Sequence, residues 1–223
     1  MIMIPMAGLS SRFFKAGYSK PKYMLEAKGK TLFEHSVLSF EKYFKDELFV
    51  FVIRDIYDTK KFVTELVKKL GIEDFKIVCL GVETKGQAET VFLGLNDVND
   101  NESLTVFNID TFRPKFSYPD LSDKEDGYLE VFQGCGNNWS FVLPKNKGST
   151  LLIETAEKRP ISDLCCTGLY YFNKVSDFKL SYNNYLDKPK KLWEKGELYV
   201  APLYNFLIEN GKKIHYHRIE RDE

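Results

Sequence analysis

The first half of the chain alternates apolar runs with helical patterns, and this alternation constrains the fold more than any other feature. Four apolar runs have the length of buried strands; they are residues 1–6, 48–53, 75–80 and 104–108. Between them lie three segments with apolar residues at helical spacing, namely 31–44, 58–70 and 88–95. Because successive parallel strands need long crossovers, the rhythm predicts a parallel sheet with helices on both faces.

The second half follows another pattern. Residues 128–133, 139–143 and 150–155 resemble antiparallel strands joined by turns rich in Gly, Asn and Lys. A strand at 169–172, helices at 175–185 and 198–209 and a strand at 213–218 follow. The whole predicts one α/β domain over 1–223. It has a Rossmann-like, mostly parallel central sheet with helices on both faces and a smaller antiparallel sheet.

Composition excludes several classes of partner. Lys plus Arg and Asp plus Glu both number 32, so no overall field favours nucleic acid or an acidic membrane surface. No apolar run approaches the roughly 20 residues of a membrane span, and the N-terminus lacks the pattern of a signal peptide. The four cysteines show no paired spacing, which favours a reducing cytoplasm.

A turn of small residues follows the first apolar run directly. Residues 7–12 read Ala-Gly-Leu-Ser-Ser-Arg, and Lys22 follows Pro21 further along. Small side chains leave backbone N–H groups open to an anion, while Arg12 and Lys22 add a planar fork of donors and a point charge. The turn therefore predicts a triphosphate or pyrophosphate site. The competing interpretation is a plain turn with solvated cations.

These residues resemble the signature G-x-G-[ST]-R-[FL]…P-K of the nucleotidylyltransferase family with the glycosyltransferase-A-like fold. That family includes sugar-phosphate nucleotidylyltransferases and phosphocholine cytidylyltransferases. Ser10 stands where many members carry a second Gly, and Tyr23 where many carry Pro. The resemblance implies catalytic roles for Arg12 and Lys22 and a nucleotide-binding loop of Ala7, Gly8, Leu9, Ser10 and Ser11.

Asp110 stands where the fourth apolar run turns polar. A carboxylate at the exit of a strand can hold Mg²⁺ bridging nucleotide phosphates, although an Asp there can also simply cap a turn. The resemblance implies that Asp110 is a metal ligand and that a second carboxylate lies near the C-terminus, for which Asp222 is the candidate. The D-x-D pair of glycosyltransferases with a related fold is missing.

The segment Gly86-Gln87-Ala88 connects the third strand to a helix. Gly86 permits close approach, and Gln87 offers a donor and an acceptor to a base edge. The segment resembles the base-recognition motif G-[TQ]-[AG] of the family, although a plain loop before a helix would look similar. The motif does not name the base.

Two stretches of the second half resemble the acceptor side of the family, E-K…[ST]-G-x-Y-x-F. By this resemblance Lys158 helps to bind the phosphate of the acceptor, and Thr167 and Gly168 line the acceptor pocket. Glu197 and Tyr199 belong to a further segment of the same kind. A solvated Lys-Arg pair and a core tyrosine are the plainer alternatives.

Together these features predict a cytoplasmic nucleotidylyltransferase that uses Mg²⁺. It would transfer NMP from an NTP, with CTP favoured, to a phosphorylated small molecule and release pyrophosphate. Residues 1–115 would bind the nucleotide and 116–223 the acceptor. The acceptor is a sugar 1-phosphate for bacterial surface polysaccharide, or alternatively phosphocholine or phosphoglutamine for capsule modification. A glycosyltransferase using a nucleotide-sugar and a non-catalytic nucleotide-binding module remain alternatives of another class, and the oligomeric state is not predicted.

Overall fold

The structure is a computed structural model that describes residues 1–120, 122 and 124–220. Its first half contains six strands and four helices that follow the expected alternation. The elements are β1 (Ile2–Pro5), α1 (Ser11–Lys15), β2 (Glu26–Ala27), β3 (Lys30–Thr31), α2 (Leu32–Val37), β4 (Phe49–Ile53), α3 (Thr59–Leu70), β5 (Phe75–Cys79), α4 (Gln87–Gly94) and β6 (Leu104–Phe107). Short 3₁₀ turns span Lys22–Met24 and Leu38–Tyr43.

The second half is richer in strands. Its elements are β7 (Gly127–Gln133), β8 (Ser140–Pro144), β9 (Leu152–Glu157), β10 (Leu164–Phe172), α5 (Val175–Leu186), α6 (Leu203–Glu209) and β11 (Ile214–Ile219). Two more 3₁₀ turns, Lys190–Leu192 and Glu194–Gly196, lie between α5 and α6. In the part of the chain that the structure describes, no helix is long and apolar enough to cross a membrane.

A single mixed sheet forms the centre of the fold. Its strands follow the order β11-β7-β10-β6-β1-β4-β5, with β8 pairing with β10 and β9 with β8. Along this path β10 runs antiparallel to its neighbours β6 and β7, while the other described pairs are parallel. The expected fold class is confirmed. The antiparallel strands are continuous with the central sheet, and β2 and β3 form a small separate hairpin.

Apolar layers cover both faces of the sheet. Along β1, Ile2 and Ile4 pack in one cluster together with Phe33 of α2 and Val63 of α3. Met3 faces the opposite side and packs with Val91 of α4. Because successive side chains of a strand point to opposite faces, a strand covered on both sides must be apolar throughout, as β1 is. The parallel strands consequently all end at one edge of the sheet, where the ligand of an open α/β sheet binds.

Candidate active site

A cleft of about 720 Å³ lies at this edge, between the loops that follow β1, β5 and β6. The structure brings most of the residues predicted to bind nucleotide and metal to its wall. These are Ala7, Gly8, Leu9, Ser10, Ser11, Arg12, Lys22, Gly86, Gln87 and Asp110, with Glu197 from the expected acceptor side. Five separate stretches of sequence therefore meet in one cavity.

Ser10 takes the conformation that glycine favours. Its backbone lies in the left-handed region at φ 52°, ψ 26°, and its carbonyl accepts from the N–H groups of Phe13 and Phe14 to begin α1. A serine can adopt this conformation at a modest cost, which explains why it can replace the expected Gly. Its hydroxyl oxygen also accepts from the Lys22 N–H at 3.2 Å. The loop is thereby tied to the second predicted catalytic residue.

Lys22 and Asp110 form an ion pair across the cleft. Lys22 Nζ lies 2.5 Å from Asp110 Oδ2, and the two side chains are 25% and 52% exposed. Lys22 opens the 3₁₀ turn after Pro21, whereas Asp110 lies beyond the end of β6. A cation and a carboxylate thus neutralise each other at the place where a nucleotide would bring both phosphates and metal.

The surroundings of Asp110 suit Mg²⁺ held mainly by substrate. Over the described residues, no group of three or more His, Cys, Asp or Glu could form an all-protein metal cage. In nucleotide enzymes, Mg²⁺ is commonly held by one or two carboxylates with phosphate oxygens and water completing its shell. A half-exposed carboxylate in the cleft fits that mode. The other predicted ligand, Asp222, lies outside the described residues.

The backbone of Leu198 fixes the predicted base-recognition loop. Leu198 N–H donates to the Lys85 carbonyl at 2.8 Å, and the Ala88 N–H donates to the Leu198 carbonyl at 2.9 Å. A Cβ on Gly86 would lie 2.5 Å from the Leu198 oxygen, and φ there is +142°. Gly86 is therefore required by close approach and by conformation. Ala88 is buried and helps to hold the loop through its backbone.

Asn108 joins three parts of the site, a role that the sequence analysis missed. The Gln87 side-chain amide donates to Asn108 Oδ1, so this group of Gln87 faces Asn108. The Asn108 N–H donates to the Gly168 carbonyl at 3.1 Å, and its own carbonyl accepts from Ser36 at 3.2 Å. The one sequence signal was its place two residues before Asp110, at the end of a strand.

Thr167 and Gly168 lie beside the loop that carries Asp110. The pairing of β10 with β7 shifts register between Cys166 and Tyr170, which marks a bulge at these residues. The Thr167 hydroxyl donates to Glu130 Oε1 at 3.0 Å, and the Thr167 carbonyl accepts from the Thr111 hydroxyl at 2.8 Å. Gly168 has φ +100° and packs against the Asn108 side chain. The bulge thus borders the cleft through Asn108.

Lys158 and Tyr199 form a pair that reaches the cleft through Glu197. Lys158 Nζ donates to the Tyr199 hydroxyl at 2.5 Å and lies 4.4 Å from the centre of its ring. Burial, followed by the hydrogen bond to Glu197, raises the pKa of Tyr199. Lys158 itself has a left-handed backbone at φ 54°, a strained conformation often found at functional sites. Glu197 lines the cleft, but Lys158 and Tyr199 do not.

Next to Lys158, Glu157 carries a buried carboxyl that the sequence analysis left without a role. The residue is 6% exposed and accepts a hydrogen bond from the Ser140 hydroxyl. Burial raises the pKa of Glu157, although the bond to Ser140 and the charge of Lys158, 3.7 Å away, oppose the shift. An acidic group is therefore held in a low-dielectric place on the expected acceptor side.

One wall of the cleft was not predicted at all. Lys190 and Gly196 line it from the two 3₁₀ turns before Glu197, and Trp193 lines it from between those turns. The indole N–H of Trp193 donates to the Lys188 carbonyl at 2.9 Å, which anchors the ring. We call residues 190–197 the strap. A lone Trp in a lysine-rich stretch between Pro189 and Gly196 was its only sequence signal.

Solved structures resemble this fold over its full length. A nucleoside-diphosphate-sugar pyrophosphorylase from Vibrio cholerae RC9 is 60% identical, with a TM-score of 0.95 over 100% of this chain and 93% of its own. An inositol-1-phosphate CTP transferase from T. maritima is 16% identical, with a TM-score of 0.75 over 99% and 85%. A UDP-glucose pyrophosphorylase complexed with UDP-glucose is also 16% identical, with a TM-score of 0.74 over 98% and 90%. No protein-family model and no curated protein sequence matches the chain.

Proposed function

Because the chain belongs to the sugar-phosphate nucleotidylyltransferase family, we propose that it joins NMP from an NTP to a sugar 1-phosphate and releases pyrophosphate. Its class of enzyme, a nucleotidylyltransferase, follows from that membership. The observation that carries the proposal is the convergence of the phosphate loop, Lys22 and Asp110 in one cleft. The name of the Vibrio cholerae relative supports a sugar phosphate as acceptor.

The proposed reaction is a direct displacement. An oxygen of the acceptor phosphate attacks the α-phosphorus of the NTP, and the bond between the α-phosphorus and its bridging oxygen to the β-phosphate breaks. Pyrophosphate leaves with that oxygen, so no covalent enzyme intermediate is needed. Catalysis then consists of positioning and charge neutralisation.

Most of the predicted site residues have a distinct part in this scheme. Backbone N–H groups of the loop at 7–11, together with Arg12, bind the triphosphate. When the nucleotide binds, the Lys22 ammonium group leaves Asp110 and binds phosphate oxygens, where it stabilises the departing pyrophosphate. Gly86 and Gln87 lie at the base, while Thr167 and Gly168 border the acceptor. Asp110 would hold Mg²⁺, which when bound would neutralise charge on phosphate oxygens.

We assign Lys158, with Tyr199 and Glu197 beside it, to the binding of the acceptor phosphate. In the free protein the ammonium group of Lys158 is held by Tyr199. A neutral phenol binds this cation less tightly than a carboxylate would, because it offers no opposite charge. Glu157 Oε1 also lies 3.7 Å from Lys158 Nζ, so an incoming phosphate would draw Lys158 away from both the phenol and this carboxylate. Its positive charge would reduce the repulsion between two phosphates that must approach each other.

For the nucleotide we propose CTP, and for the compartment the bacterial cytoplasm, where the product would serve surface polysaccharide synthesis. The proposal of CTP rests on the tyrosine-rich second half of the chain, which resembles small cytidylyltransferases. The T. maritima structure, a CTP transferase by name, has the same fold. Phosphocholine and phosphoglutamine are the competing acceptors.

The test is pyrophosphate release with Mg²⁺ from CTP, UTP, dTTP, ATP and GTP, each crossed with hexose 1-phosphates, heptose 1-phosphates, phosphocholine and phosphoglutamine. We expect release that depends on both CTP and one sugar 1-phosphate. Release with a non-sugar acceptor would overturn the acceptor, and release with another NTP would overturn CTP. Nucleotide binding without release from any pair would favour a binding module. Transfer from a finished nucleotide-sugar would favour a glycosyltransferase.

A further inference from the structure

A buried ion pair connects the two substrate sides of the cleft. Arg113 Nε donates to Glu130 Oε1 at 2.8 Å, and the Arg113 and Glu130 side chains are 10% and 0% exposed. Glu130 lies on β7, which has β10 on one side and β11 on the other. A carboxylate inside a sheet carries a large desolvation penalty, and an apolar pair of similar size often serves stability equally well. Stability alone is therefore a poor explanation for this pair.

The pair touches both the loop of Asp110 and the bulge of β10. Arg113 lies three residues after Asp110, on the same loop. Glu130 Oε1 also accepts from the Thr167 hydroxyl at 3.0 Å, directly at the bulge. One carboxylate oxygen thus holds the metal-side loop through Arg113 and the acceptor-side bulge through Thr167.

Two further hydrogen bonds join the same loop and bulge. The Thr111 hydroxyl donates to the Thr167 carbonyl at 2.8 Å, and the Asn108 N–H donates to the Gly168 carbonyl at 3.1 Å. The pairing of β10 with β7 shifts register opposite Glu130, between the pairs Cys166–Val131 and Tyr170–Leu129, and this shift forms the bulge. Glu130 therefore lies where the ladder is interrupted and where an additional polar group can be accommodated.

We propose that Glu130, through Arg113 and Thr167, is a positioning residue that sets the distance between the Asp110 loop and the acceptor-binding bulge. This inference rests on the proposed function, since the bulge matters only if an acceptor binds there. Direct displacement needs the two phosphates in line, and a misplacement of about 1 Å can cost about 100-fold in rate. The hydroxyl of Thr167 serves Glu130, so Thr167 contributes to the acceptor site through the shape of its backbone.

Four variants separate positioning from stability. Glu130→Met removes the shared acceptor and leaves Arg113 in place. Arg113→Met/Glu130→Met replaces the pair with apolar side chains and restores stability, as such replacements often do. Thr167→Val removes only the hydroxyl, and Glu130→Gln keeps an acceptor oxygen. Asp177→Asn is the matched control, because Asp177 is also a buried carboxylate, 3.2 Å from Lys212 and on α5.

The measurements are Tm, the Kd of the NTP, and kcat and KM for the acceptor found with the wild-type protein. We expect the apolar double variant to keep a wild-type Tm and NTP affinity but to raise the acceptor KM about tenfold or lower kcat about 10- to 100-fold. Thr167→Val should show a smaller effect of the same kind, and Glu130→Gln should recover most of the activity. Asp177→Asn should change Tm alone.

The positioning role would be overturned if the double variant had both the Tm and the kinetics of the wild type. It would also be overturned if the double variant lost NTP affinity and acceptor affinity equally. If Glu130→Met does not fold, the double variant and Thr167→Val still decide. Adding Thr167→Val to the double variant should lower kcat or raise the acceptor KM little further, because both changes remove the same link. A wild-type protein that releases no pyrophosphate would instead refute the proposed function.

Discussion

Lys22 Nζ lies 2.5 Å from Asp110 Oδ2, so two groups expected to bind opposite parts of a metal–nucleotide complex bind each other in the free protein. With 52% of the Asp110 side chain exposed, the pair is screened by water and costs little to open. It also prevents Asp110 from repelling the phosphates before a metal arrives. The free cleft is thereby kept close to neutral without being blocked.

Replacing Lys22 should slow the chemical step. Lys22→Ala removes a preorganised donor to the departing pyrophosphate, and we expect kcat to fall by about 10²–10³. Lys20→Ala is the control, because Lys20 is an exposed cation two residues away that does not line the cleft. Steady-state kinetics of pyrophosphate release measure both. A loss below about tenfold would make Lys22 peripheral.

Adding a methyl group to Gly86 should disturb the base loop. The new Cβ would lie 2.5 Å from the Leu198 oxygen, in a backbone conformation that other residues rarely adopt. We expect Gly86→Ala to weaken NTP binding about tenfold or more and to lower Tm. Gly81→Ala is the matched change in the same connection, since nothing lies within 4 Å of its Cβ position. Similar NTP affinity for the two variants would contradict this account of the loop.

Trp193 should report nucleotide binding directly. The chain has two tryptophans, and Trp193 lines the cleft whereas Trp139 does not. In Trp139→Phe, the remaining emission comes from the strap, so we expect saturable quenching or a spectral shift on addition of NTP. Trp193→Phe, with Trp139 retained, should respond little. A larger response from Trp139 would place the nucleotide elsewhere.

The buried carboxyl of Glu157 should make stability depend on pH. Burial raises the folded-state pKa of Glu157 above its ordinary value, so the folded state binds more protons than the unfolded state as pH rises through that range. Its contribution to stability is complete below the unfolded pKa and is lost as pH increases through the folded pKa. Relative to Glu157→Gln, the free energy of unfolding of the wild type should therefore fall from about pH 4.5 upward. Urea unfolding of both proteins across pH 4–8 measures the difference, and a difference that rises with pH would reverse the assignment.

The parallel part of the fold could be predicted because its signals are local. The run at 1–6 and the turn at 7–12 are adjacent in sequence, and both appear where they were expected. The helix at 31–44 was predicted to extend to residue 44 from apolar spacing, but α2 ends at Val37 and a 3₁₀ turn follows, with Phe40 at φ −105°, ψ 21°. Apolar spacing does not distinguish a continuous helix from a kinked pair.

Other departures come from contacts that are distant in sequence. The strand expected at 169–172 begins at Leu164, because the chain passes through the bulge at Thr167 and continues pairing with β7. The helix expected at 198–209 begins only at Leu203, since the backbone of Leu198 bonds to Lys85 and Ala88 instead. No sequence pattern near Leu198 indicates that its backbone bonds to residues about a hundred positions earlier. The strap and the Glu130 link escaped prediction for the same reason.

The place of β10 limits how this protein can move. This strand comes from the second half of the chain, yet it is bonded on one side to β6 of the first half and on the other to β7. The two halves therefore share one hydrogen-bonded ladder. Separating the two halves as rigid bodies would break these hydrogen bonds and expose an unpaired strand edge. We therefore expect substrate binding to involve small movements of segments outside this sheet rather than separation of the two halves.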